Sequence, residues 1–100
     1  MRLGDTEKAL QAYQQALEIR QALAESDPTN VSAQRDLFIS SSKIGDMQLQ
    51  LGNTQAALQA YQQVLEVSQA LAESDPTNVR AQRDLAVSYN SIGDVQLRVG

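Results

Sequence analysis

A block of this chain returns after 48 positions: Tyr13-Gln14-Gln15-Ala16-Leu17-Glu18-Ile19 comes back as Tyr61-Gln62-Gln63-Val64-Leu65-Glu66-Val67. The same offset carries Leu23-Ala24-Glu25-Ser26-Asp27-Pro28-Thr29-Asn30 onto Leu71 through Asn78, and Ile44-Gly45-Asp46 onto Ile92-Gly93-Asp94. A repeat of that length is a whole supersecondary unit that cannot bury its apolar face alone. The fold it permits is therefore a stack in which neighbouring units cover one another. A stacked binding scaffold is the class of function that follows, and the repeat by itself does not name a ligand.

Each repeat is punctuated twice. Both prolines sit in Asp-Pro-Thr-Asn, at Asp27-Pro28-Thr29-Asn30 and Asp75-Pro76-Thr77-Asn78, where proline stops one helix and asparagine can cap the next. The second break is Gly-polar-Thr, at Gly4-Asp5-Thr6 and Gly52-Asn53-Thr54. There glycine suits the left-handed residue that closes a helix, and Asp or Asn suits the cap that opens another. These signals predict an all-α fold with four helices over 6–26, 31–51, 54–74 and 79–99, each about 30 Å long at 1.5 Å per residue. Loops this short set consecutive helices antiparallel. Residues 1–100 then form a single repeat domain, with units 4–51 and 52–99 that are out of phase with the hairpins.

Apolar spacing agrees. Leu37, Ile44, Met47 and Leu51 fall on one face of the second helix, and Leu85, Ile92, Val95 and Val99 repeat them on the fourth. The first helix carries two rows, Leu10, Tyr13, Leu17 and Ala24 beside Ala9, Ala12, Ala16, Ile19 and Leu23, a stripe wide enough for neighbours on two sides. Gln11, Gln14, Gln15, Gln59, Gln62 and Gln63 read as a solvated face. Gly45 and Gly93 lie inside helices, where each costs about 1 kcal/mol relative to alanine. They predict close crossings against Ala9, Ala12, Ala57 and Ala60. Phe38 and Ser41 become Ala86 and Tyr89 one repeat later, and an aromatic displaced by one turn predicts a core position for both Phe38 and Tyr89. Chain reversal at the prolines predicts ion pairs of Arg35 with Glu25 and of Arg83 with Glu73.

Several chemistries lack their residues. The chain has no His and no Cys, so imidazole and thiolate catalysis are excluded, and no glycine-rich phosphate loop is present. Asp46 and Asp94 are one repeat's copy of each other, so their proximity follows from architecture without an acid-base role. We expect no enzyme activity, no cofactor and no metal. The net charge is −4 and the eight basic residues are dispersed, which argues against nucleic acid and anionic membranes as partners. Met1-Arg2-Leu3-Gly4 leads into no signal-peptide core.

These residues resemble the tetratricopeptide repeat. Tyr89, Ile92-Gly93 and Gly100, then Gly52, Ala57, Tyr61 and Val64, follow that family's order: an aromatic, an aliphatic-Gly pair, a turn glycine, then alanine and an aromatic on the next helix. In the first copy Ile44-Gly45, Gly52 and Ala57 match while Ser41 replaces the aromatic, and Gln48 and Gln96 stand where an aromatic is usual. The family unit is about 34 residues, so a period of 48 lengthens both helices around the Asp-Pro turn, as in repeats similar to those of kinesin light chains and many bacterial repeat proteins. The resemblance implies a right-handed α-solenoid of antiparallel helical hairpins whose concave wall binds a protein or peptide. It places the candidate groove on Ser42, Lys43, Asp46, Leu49 and Gln50, with Asn90, Asp94, Leu97 and Arg98 in the second copy. Asp46 and Asp94 occupy a place where the family's carboxylate clamp uses an asparagine, so a neutral or basic extended peptide, or a helix, suits the groove better.

Apolar faces recur unaltered on the first and last helices, where repeat arrays ordinarily place polar caps. We therefore expect an excerpt of a longer array or a module that self-associates through these helices, either head to tail or as a closed dimer. A self-assembling spacer with no separate ligand is the rival to the binding scaffold.

Overall fold

A computed structural model describes residues 3–99, and it contains four helices: α1 (Leu3–Ser26), α2 (Val31–Gln50), α3 (Thr54–Ser74) and α4 (Val79–Val99). Gly100, assigned by the sequence to a closing turn, lies outside the described residues. No strand occurs among those residues. Three of the helices keep their expected bounds to within one residue. The exception is α1, which begins before Gly4, so Gly4-Asp5-Thr6 is helix interior and not a cap.

The turns show why the chain reverses where it does. Asn30 sits in extended backbone and its side-chain oxygen accepts from the Ala33 amide at 3.1 Å, and Asn78 does the same for Ala81 at 3.1 Å. Across each turn, Gln34 Nε2 donates to the Ala24 carbonyl and Gln82 Nε2 to that of Ala72, both at 3.4 Å. The two proline turns are thus built alike. The α2–α3 turn differs: Gly52 takes φ +81°, which a Cβ disfavours. Asn53 does not cap α3 with its side chain, and instead donates from Nδ2 to Gln48 Oε1 at 2.9 Å.

Among the described residues each helix lies against its chain neighbours, in the order α1, α2, α3, α4, with α2 against α3 the most extensive joint. The molecule measures 41 × 31 × 19 Å, and 19 Å is about two helix diameters. This is the two-layered form of a helical solenoid.

One apolar cluster joins Ala24, Leu37, Val67, Leu71, Ala72 and Ala81, with Leu17, Phe38 and Leu85 packed on it. A second gathers fully buried Ala57 and Val95 around Tyr61, and Leu49, Leu58 and Ile92 close it. Ser68 and Ser88 are buried between α3 and α4 with their hydroxyls 3.0 Å apart. The equivalent pair between α1 and α2 is Arg20 Nη1 donating to Ser40 Oγ at 2.9 Å.

Three sequence expectations are corrected here. Gly45 makes its close approach to an aromatic ring, not to alanine: a Cβ there would lie 2.5 Å from Cε1 of Tyr61, whereas a Cβ on Gly93 would meet nothing within 4 Å. Tyr89 is 52% exposed while its counterpart Ser41 is fully buried: α3 lies over Ser41, whose hydroxyl donates to Gln63 Oε1, whereas at Tyr89 α3 reaches the hydroxyl through Gln69 Nε2 at 3.0 Å. Arg35 pairs with Asp84, not with Glu25, and this is the ion pair formed among the described residues. It ties α2 to α4 across two turns of chain, so proximity to the proline turn does not decide its partner. Phe38 is half-buried, with the Arg35 guanidinium 5.8 Å above its ring centroid.

Candidate functional site

Ser42, Asp46 and Gln50 recur every four residues on α2, and Asn90, Asp94 and Arg98 do so on α4, so each set stands in one row along its helix. Ser42 is half-buried, its hydroxyl donating to the Phe38 carbonyl at 2.9 Å. Lys43 is exposed, with Nζ 5.3 Å above the ring of Tyr13. Asp46, Gln50, Asn90, Asp94 and Arg98 are exposed. Leu49 departs from the row and packs into the second apolar cluster, whereas its copy Leu97 is 84% exposed.

Tyr61 organises this face, although the sequence placed it in the repeat block and the family pattern and not among the groove residues. Its ring is 4% exposed and its hydroxyl donates to the Asp46 carboxylate. Burial, then the hydrogen bond and charge of Asp46, raise the Tyr61 pKa far above the tyrosine range, with Arg98 opposing and Asp94 adding to the rise. Asp46, Asp94 and Arg98 therefore all act on one phenol, and the structure brings these three candidate residues into a common electrostatic neighbourhood. A carboxylate ligand would meet two like charges there, with one guanidinium beside them. The arrangement suits hydrogen-bonding and cationic groups. Among the described residues no three Asp, Glu, His or Cys side chains gather to hold a metal ion, and no helix is long and apolar enough to cross a membrane.

A second feature had a faint sequence signal in the wide stripe of α1. Between α1 and α2 runs a line of open recesses. One of about 280 Å³ is lined by Ala9, Tyr13 and Met47 together with the candidate groove residues Lys43, Asp46 and Gln50, and another of about 380 Å³ includes Ala12, Ala16, Arg20, Asp36 and Ile39 in its wall. The corresponding line between α3 and α4 is filled where α2 supplies Leu49 to the pocket of Ala57, Tyr61 and Val95 and Arg35 to Asp84, and narrows to a recess of about 100 Å³ beside the Asp75 turn.

The Tetratricopeptide repeat family model matches residues 1–23 and 42–71, and the second match spans the later part of α2, the Gly52 turn and most of α3. The chain belongs to the tetratricopeptide repeat family. In this tetratricopeptide repeat protein the matched α2–α3 hairpin is the one whose joint holds Gly45 against Tyr61, so the family's aliphatic-Gly and aromatic positions are the two sides of a single contact. Repeats of this family form non-enzymatic scaffolds that mediate protein–protein interaction. No curated protein and no solved structure matches the chain.

Proposed function

We propose that this tetratricopeptide repeat protein is a non-catalytic interaction scaffold that binds a peptide or helix along the face shared by α2 and α4. One observation carries the reading: Gln50, Asn90, Asp94 and Arg98 are exposed polar side chains that make no hydrogen bond or ion pair with the described residues. Exposed side chains of this kind are hydrated in the free chain and can exchange that water for a ligand's donors and acceptors. The carboxylates of Asp46 and Asp94 select against a peptide's C-terminal carboxylate and favour a neutral or basic segment. Screening a peptide library for binding, then repeating it with Asp94→Ala and Asn90→Ala, tests the reading. Both substitutions should weaken the selected peptides, and retention of full binding by both would overturn it.

Self-association through the outer helices is the second reading, favoured by the exposure of Leu97 and by the open recesses between α1 and α2. It is compatible with a place in a longer array, where a further repeat would cover the same surfaces.

A further inference from the structure

The two outer faces of this molecule are the two halves of a joint that it already contains. Shifted by 48 positions, α2 becomes α4 and α3 becomes α1. In the α2–α3 joint Leu49 enters a pocket of Ala57, Tyr61 and Val95, Gly45 receives the Tyr61 ring, the Tyr61 hydroxyl donates to Asp46, and Arg35 reaches past α3 to Asp84. Every one of these partners has its counterpart on an outer face. Leu97 is an exposed knob, and the recess of Ala9, Tyr13 and Met47 is an open pocket in the equivalent place. Gly93 has free space where Gly45 has a ring, and Tyr13 is a ring left 37% exposed. Arg83 and Asp36 are exposed charges of opposite sign, neither in an ion pair among the described residues.

Resting on the self-association reading, we propose that a second copy of this chain docks its α1–α2 recess onto α4 in the register of the internal α2–α3 joint. Leu97 of one copy fills the recess of Ala9, Tyr13 and Met47 in the next, the Tyr13 ring lies on Gly93, and Arg83 pairs with Asp36 across the junction. The contact is heterologous, so it leaves one α4 and one recess free at the two ends and propagates into a filament of continuous superhelical sense. The occupant is specified by shape and charge together: knob to pocket, ring to glycine, cation to carboxylate. A closed dimer of α4 on α4 would leave the recess and Asp36 of both copies uncovered and bring no Tyr13 ring to Gly93.

Complementation of two end-blocked variants tests this register. Gly93→Ala puts a methyl where the incoming ring must lie, yet meets nothing within the monomer, so in dilute solution, where both chains are monomeric, its thermal melt should be no lower than that of the parent. Tyr13→Ala removes the ring from the other face. Sedimentation velocity across a concentration series should show the parent growing into larger species, and each variant associating at least about tenfold more weakly (about 1.4 kcal/mol). An equimolar mixture keeps one intact α4 and one intact recess, and should form a 1:1 complex that grows no further. A parent that stays monomeric throughout overturns the proposal together with the self-association reading, and leaves peptide binding to be judged by its own assay. A parent that assembles while Gly93→Ala and Tyr13→Ala assemble equally well, or a mixture that forms no 1:1 complex, overturns the register alone.

Discussion

The α2–α3 joint and the free faces of α1 and α4 are written in nearly the same residues and have opposite environments. Tyr61 is buried and Tyr13 is not, Leu49 is packed and Leu97 stands in solvent, and Gly45 is filled where Gly93 is empty. Side-chain identity therefore does not fix burial in this molecule; the presence of the next helix does. The glycine shows the energetic side of that lesson. At 45 the loss of helix propensity is offset by an aromatic ring lying on bare backbone, while at 93 nothing in the chain offsets it.

The most severe way to break the comparison is Gly45→Leu against Gly93→Leu in dilute solution. The first should destabilise by about 1–3 kcal/mol or more, since the ring it displaces is buried and held by its hydroxyl. The second should leave the monomer unchanged or up to about 1 kcal/mol more stable. Denaturant titration reads both, and equal losses would abolish the distinction drawn between centre and face. Next, Val95→Ala should cost about 2 kcal/mol by opening a cavity at a fully buried site. Met47→Ala, its half-buried copy beside the open recess, should cost clearly less.

A pH titration sharpens the contrast at Tyr61. Its folded pKa is raised, so the unfolded chain ionises first, from about pH 10. The stability due to the neutral phenol is complete below that pH and is lost as pH rises beyond it. Tyr61→Phe should flatten this alkaline decline and, having lost the bond to Asp46, start about 1 kcal/mol lower at neutral pH. A decline of unchanged steepness in the variant would mean that another group is responsible. The smallest effect is expected at the charges. Arg35→Ala should cost up to about 1 kcal/mol, Arg35 and Asp84 each retaining about a fifth of their side-chain exposure. Arg83→Ala should cost nothing measurable in the monomer.

Much of this architecture was legible because its signals are local. Proline, asparagine and a glycine at the turns act within four residues, so the bounds of α2, α3 and α4 follow directly from Pro28, Asn30, Gly52, Pro76 and Asn78. Gly4-Asp5-Thr6 carries nearly the same residues as Gly52-Asn53-Thr54 without the same result, since it lies inside α1. What joins helices was less readable. Gly45 announced a close approach, but whether alanine or Tyr61 makes it depends on how far α3 is rotated, which spacing alone does not fix. The partner of Arg35 lay on α4, beyond reach of any reading that pairs residues across the nearest turn. Tyr89 was misplaced for a related reason: the copy that resembles it is covered, and resemblance does not transfer neighbours. For the candidate groove, the rows on α2 and α4 came from the repeat pattern, whereas the convergence of Asp46, Asp94 and Arg98 on a phenol emerges only when α3 is set between the two helices.

Because each helix packs chiefly on those beside it in the chain, and reaches further only through side chains such as Arg35 to Asp84, little distant closure has to be completed before the rest can form. Folding can start at either proline turn and spread by adding one helix at a time, with little loop entropy to overcome at each step. Loss of structure should run the same course inward, α1 and α4 exchanging their amide protons well before the middle of α2 and α3. The molecule's rigidity is accordingly graded along its length, and whatever covers an outer helix also slows its fraying.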